Sequence, residues 1–200
     1  MHSFAQSVLD FWFTSEELNS ATASERMSLW FSSNADFDYD IERRFGKLVS
    51  MASKGAFDIW QNDPKSALAL VILLDQFPRN LYRNSSKAFA TDQKALDITK
   101  MALDRGDLNT LEPIESGFLL MPFQHSESLE DQNLGIAAYK TLLEDCPEDW
   151  RDVINGMLSF AERHMVVIEK FGRFPHRNAI FGRSDSSEER EYLEGGGDRF

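Results

Sequence analysis

Two segments of the chain gather similar polar side chains around a proline. Asp75-Gln76-Phe77-Pro78-Arg79-Asn80 follows one apolar stripe, and Arg173-Phe174-Pro175-His176-Arg177-Asn178 follows another far downstream. Each proline stands where a helix must kink or stop. Guanidinium forks grip carboxylate or phosphate at two points, and amides and imidazole add further donors. Arg173, His176, Arg177, Asn178 and Arg183 are concentrated in one short stretch of an otherwise acidic chain. With Asp75, Gln76, Arg79 and Asn80 they form the candidate ligand-binding set, and the ligand they suit is an anionic small molecule. The alternative is structural: these cations pair with internal acids such as Asp75, Glu127 or Asp131.

Proton handling falls to His125, Glu127, His164 and His176, the candidate catalytic residues. His125 and Glu127 stand two apart in Met121-Pro122-Phe123-Gln124-His125-Ser126-Glu127, expected to be a loop between helices. Such a pair suits a general acid–base couple or two metal ligands. Equally, Ser126 or Ser128 can cap the next helix while Glu127 favours its positive end. His164 shares a helical stripe with Val153, Met157, Phe160, Val167 or Ile168, and Phe171, so it is expected to point inward. Asp75 lies in line with Leu68, Val71 and Ile72, where a carboxylate is costly unless paired. Arg79 and Arg83 are its natural partners, as a clamp at the kink or as a ligand-facing pair.

Several standard chemistries are excluded. There is no GxxxxGK[ST] or GxGxxG loop, no GxSxG elbow and no HExxH. A metal centre would need His125, Glu127, His164 or His176 to converge from separate segments. The sequence assigns neither metal nor cofactor. The single cysteine, Cys146, lies in Glu144-Asp145-Cys146-Pro147-Glu148-Asp149, where negative neighbours disfavour a thiolate.

The elements that must position these groups read as helices. Val8, Leu9, Phe11, Trp12 and Phe13 make an aromatic first helix. Phe37, Ile41, Phe45, Leu48 and Met51 recur at spacings of three and four. Asp63-Pro64 opens the next helix, running to Phe77 and expected to be the most buried. Further helices are expected over about Ser86 to Asp104, ending at Gly106; Pro113 to Met121; from Ser128; Asp149 to Phe171; and from Ser186 to the Gly195-Gly196-Gly197 run. Ser15 to Ser24 and the tail glycines look loose. No stretch alternates with period two. The fold class is therefore all-α: about eight helices in an antiparallel array, one domain over 1–200.

With 42% hydrophobic residues in 200, one core is attainable and two domains are not required. A net charge of -12 argues against broad binding to nucleic acid or anionic lipid. One cysteine allows no internal disulfide and fits a reducing compartment. The longest apolar run, Ala67 to Leu74, falls short of the ~20 residues of a membrane span. No basic-then-apolar leader opens the sequence. A cytoplasmic location is the expectation, with neither nucleic acid nor membrane as partner.

Five motifs in order carry a resemblance: Val8-Leu9-Asp10-Phe11-Trp12-Phe13, Leu73 to Asn80, Phe89-Ala90-Thr91-Asp92, Met121 to Glu127, and Phe171-Gly172 running into Arg173 to Asn178. In these the chain resembles the bacterial domain-of-unknown-function 924 family over essentially its whole length. The resemblance implies an all-helical fold related to tetratricopeptide-like arrays and no established activity. Two functions compete. One is a site for an anionic metabolite, catalytic by acid–base chemistry if the groups converge in a pocket. The other is a scaffold that holds a peptide or protein in a groove involving Trp12, Trp30 or Trp60.

Overall fold

The protein is described by a computed structural model covering residues 2–14 and 19–200. The architecture is all-α. Ten α-helical segments follow in order among the described residues: α1 (Ser3–Phe13), α2 (Ser20–Phe31), α3 (Ala35–Ser53), α4 (Pro64–Val71), α5 (Phe77–Leu81), α6 (Asp92–Arg105), α7 (Pro113–His125), α8 (Leu129–Asp145), α9 (Arg151–Phe171) and α10 (Ser187–Glu194). Local chemistry sets most of their starts. Asn34 caps α3, Asp63 caps α4 ahead of Pro64, Ser128 caps α8, and Ser186 closes a capping box on α10. Gly106 ends α6 with a φ of 76°, the left-handed geometry in which glycine is strongly preferred.

Four expectations are corrected. Pro78 does not stop its helix: α4 passes through a π-turn, Ile72–Gln76, directly into α5. The Ser86 to Asp104 stretch splits into a 3-10 turn, Ser86–Phe89, and α6. α7 runs past Pro122 to His125, so His125 closes a helix rather than lying on a loop. Of the stretch expected to be loose, residues 15–18 lie outside the described residues. Ser20 to Ser24, however, open α2, which Asn19 caps and whose weak apolar pattern hid it.

Two buried helices organise the rest. Ser66 to Gln76 and the whole of α7 are buried, and they pack together with α1, α6, α8 and α9 around them. Rings concentrate where α1, α2 and α7 meet. Trp12 and Phe13 pack edge-on against Phe118 at 5.5 and 5.4 Å, and Trp30 joins at 4.8 Å. On its other side α7 meets α8 so closely that a Cβ at Gly135 would lie 2.5 Å from Phe123 Cβ. Side chains bond carbonyls around the proline turn of α7: Tyr139 Oη donates to Gly117 O and Thr99 Oγ1 to Leu119 O. A second small cluster of Val167, Ile168 and Phe174 lies under the last segment, with Tyr192 and Phe200 against it.

Candidate anion and proton-transfer site

The π-turn is the local answer to Pro78. A proline has no N–H for the carbonyl four residues back, and its ring crowds that carbonyl. Widening the turn by one residue lets Phe77 N bond to Ile72 O instead. Leu74 O, the carbonyl that residue 78 would otherwise serve, accepts Thr91 Oγ1. The wide turn carries Asp75 and Gln76 into the protein interior.

Asp75 is fully buried and multiply partnered. His125 Nδ1 lies 2.8 Å from its Oδ1, Arg79 Nη1 3.4 Å from the same oxygen, and Gln76 Nε2 donates to Oδ2 at 2.5 Å. Burial works to raise the carboxyl pKa. The Arg79 charge, then His125 and the Gln76 amide, hold it well below the ordinary carboxylate range. Arg79 also forks onto Asp92, the first residue of α6, at 3.0 and 2.9 Å. Burial, and after it the Arg79 charge, lowers the His125 pKa against the pull of Asp75, so the ring is neutral. A neutral ring beside a carboxylate donates from Nδ1. That leaves the Nε2 lone pair free, and Nε2 has no hydrogen-bond partner among the described residues.

Arg177 stands beside this pair from the other proline segment. It is 4% exposed, yet among the described residues its one side-chain hydrogen bond runs from Nη1 to His125 O at 3.0 Å. Among the described residues the nearest carboxylate, Asp92, is 3.9 Å away and Nε has no partner. Phe89 and Phe174 lie 4.6 and 4.3 Å from the guanidinium carbon. Burial, then the Arg79 charge, pushes the Arg177 pKa down to about 10.

His164 and His176 border the cluster. The His164 ring is 6.0 Å from that of His125, and its Nδ1 lies 2.7 Å from Phe160 O. As expected it points inward, at 2% exposure. Burial first, then neighbouring positive charge, takes its pKa down to about 2. Phe200 stacks on it at 3.5 Å between centroids. Both ring nitrogens of His176 are buried without partners among the described residues, and burial followed by Arg177 brings its pKa down to about 4.

The remaining candidates are paired elsewhere. Glu127 accepts from Phe174 N at 2.8 Å and from the Arg183 fork at 2.7 and 2.9 Å, so the carboxylate partner of His125 is Asp75 and not Glu127. Arg173 forks onto Glu189 at 2.6 and 2.8 Å. Asn80 donates to Asp38, which also takes the Arg83 fork. Asn178 donates to Asp185 at 2.7 Å, with its own Oδ1 buried and unpartnered. Among the described residues no three His, Cys, Asp or Glu side chains are placed to hold one metal ion.

Residues 8–197 match the family described as bacterial protein of unknown function, DUF924. The chain belongs to the DUF924 family. It is also similar to the solved structure of the protein of unknown function ATU0120 from Agrobacterium tumefaciens. The two are 32% identical, the match covers 97% of this chain and 98% of that one, and the TM-score is 0.82. Among curated proteins none matches. Of the five DUF924-like motifs, four meet at the buried cluster: Leu73 to Asn80, Phe89 to Asp92, Met121 to Glu127 and Phe171 to Asn178 supply Asp75, Arg79, Phe89, Asp92, His125 and Arg177. Phe89 and Asp92 escaped the reading of single residues, because an aromatic and an N-terminal helix acid are ordinary by themselves. Their signal was the motif that contains them.

Proposed function

We propose that the protein binds a small anionic metabolite at Arg177 and moves a proton on it with His125, oriented by Asp75. The observation that carries this reading is Arg177 itself. A buried guanidinium with one carbonyl partner is costly unless an anion completes it. Arg79, Arg173 and Arg183 already hold carboxylates; Arg177 has none closer than 3.9 Å.

The chemistry follows from the protonation states. Asp75 fixes the Nδ1–H tautomer and steadies the ring when it gains a proton, as the acid of a catalytic triad does. Nε2 is then the base. Among the described residues no serine, threonine or cysteine side chain bonds to His125, so the geometry favours direct proton abstraction from the ligand or activation of a water over a covalent intermediate. The scaffold alternative has less support, because Trp12, Trp30 and Trp60 lie in the core instead of along a groove.

The test is a thermal-shift screen against small mono- and dicarboxylates and phosphate esters, using wild type, Arg177→Met and His125→Gln. A ligand at a hundred times its Kd adds ~2.7 kcal/mol. A shift lost in Arg177→Met and kept in His125→Gln fits anion binding at Arg177 with a separate proton-transfer group. If no anion shifts the wild type, the reading fails.

A further inference from the structure

A second candidate site lies nearby, between α2, α7 and α9. α2, α7 and α9 enclose a groove of about 610 Å³, within the range of small-molecule pockets. Met27 and Phe31 from α2, Met121 from α7, and Met157 and Phe160 from α9 form most of its walls. Phe31 and Phe160 are 50% and 46% exposed, an arrangement that leaves large rings facing water. Three methionines give a wall that adapts to the shape of an occupant.

The polar lining is sparse and specific. Gln124 lines the groove and is 4% exposed, yet its Oε1 is buried without a donor and its Nε2 makes no hydrogen bond among the described residues. Whichever way the amide is turned, both of its ends lack a partner. Among the described residues no arginine, lysine or histidine lines the groove, and its one charged residue is Asp152. An anion would find no counter-charge there and would meet a carboxylate.

We infer that this groove binds a neutral, apolar small molecule, an alkyl chain or aryl group bearing one hydrogen-bonding function that meets the Gln124 amide. The site is distinct from the anion site in its lining and in its ligand. It stands whether or not Arg177 binds an anion.

Gly156 provides the decisive variant. It lines the groove, and a Cβ added there meets nothing within 4 Å. Gly156→Phe therefore starts a side chain in open space on the α9 wall of the groove, and Ser28→Phe does the same from an exposed position on the α2 wall. The probe is N-phenyl-1-naphthylamine, followed by fluorescence, with decanamide and decanoate as competitors. Wild type is expected to show saturable binding of one probe per chain, displaced at least tenfold more effectively by decanamide than by decanoate. Either phenylalanine variant should weaken the probe at least tenfold with an unchanged circular dichroism melt, and Gln124→Leu should weaken decanamide several-fold. The inference is overturned by non-saturable binding in wild type, by undiminished binding in both filled variants, or by equal competition from decanoate. A concentration-dependent dimer in sedimentation that Gly156→Phe dissolves would also overturn it, since a second copy of the chain would then be the occupant.

Discussion

Asp75 Oδ1 and His125 Nδ1 lie 2.8 Å apart in the interior, although fifty residues of chain separate them. Neither group belongs there alone: a bare carboxylate is costly in that setting, and a lone imidazole would have no reason to hold one tautomer. Together with Arg79 they make a unit whose members justify one another's burial.

Removing one member should therefore be strongly destabilising. Asp75→Ala leaves Arg79 and His125 facing a void, and a loss of ~3–5 kcal/mol is expected by urea unfolding. Asp75→Asn keeps the shape but offers His125 no anionic acceptor. Nitrogen-15 spectra should then show the Nδ1–H tautomer of the wild type replaced by a mixture. An unchanged tautomer in Asp75→Asn would mean that Asp75 does not orient the ring.

Arg177 should behave in the opposite way. Replacing an under-partnered buried cation by an apolar side chain of similar volume is often neutral or stabilising. Arg177→Met is expected to unfold within about 1 kcal/mol of wild type, or later, while losing any anion-induced shift. A loss above ~3 kcal/mol would identify Arg177 as a structural clamp.

The histidines set the acid limb of stability. Those whose folded pKa lies below the unfolded value of about 6.5 bind protons preferentially in the unfolded chain, so their contribution is complete above that pH and declines as pH falls. His125, His164 and His176 all shift downward, the last two to about 2 and about 4. From about pH 6.5 to about pH 4, His164 and His176 each contribute a slope approaching ~1.4 kcal/mol per pH unit, and His125 adds to it with the same sign. Below about pH 4, His176 gains its proton in the fold as well and its share flattens. Asp75 and Glu127, whose pKa values are depressed, contribute stability that starts to be lost as pH falls into the ordinary carboxylate range at about 4, so the interval from pH 7 to pH 5 is governed by the histidines. Urea titrations at pH 7, 6 and 5 on wild type and His164→Gln would measure this. An identical slope in the variant would count against a neutral, buried His164.

Two glycines in adjoining helices should respond with opposite signs. At Gly135 the 2.5 Å approach to Phe123 Cβ leaves no room for a methyl group, and overpacking of ~1–3 kcal/mol outweighs the gain in helix propensity. At Gly156 nothing opposes that gain, and Gly156→Ala should stabilise by up to ~1 kcal/mol. Equal effects from the two would contradict the close α7–α8 contact.

Much of the fold was legible in the sequence, for reasons that can be named. Periodicity over Phe37 to Met51 and Val153 to Phe171 marks strong amphipathic helices, and both are present. Asp63-Pro64 and Gly106 mark helix ends because their backbone preferences are local. α2 was not legible: its apolar spacing is poor, and packing against the rest of the core decides it. The same holds at Pro78 and Pro122, where local rules say stop. Buried neighbours offset the broken ladder with Thr91 and a widened turn at the first, and with a fully buried helix at the second. For the site, the residue types pointed to Asp75, Arg79, His125 and Arg177, but pairing did not follow from spacing. His125 stands two residues from Glu127 in the chain and bonds to Asp75, because the end of a helix aims a side chain along a direction that linear proximity does not reveal.

The π-turn fixes one further quantity, the number of residues between Pro64 and Leu81. Each residue in a helix advances the chain by ~1.5 Å and rotates the downstream segment by ~100°. The wide turn absorbs one residue beyond what a regular helix would hold, so the same residues wound as an unbroken α-helix would leave α5 swung around by that angle. Arg79 would turn away from Asp92, and Asn80 away from Asp38, with both acids still in place. The geometry around Arg79 is thus written partly as a count: a frame one residue longer than an ordinary helix would use.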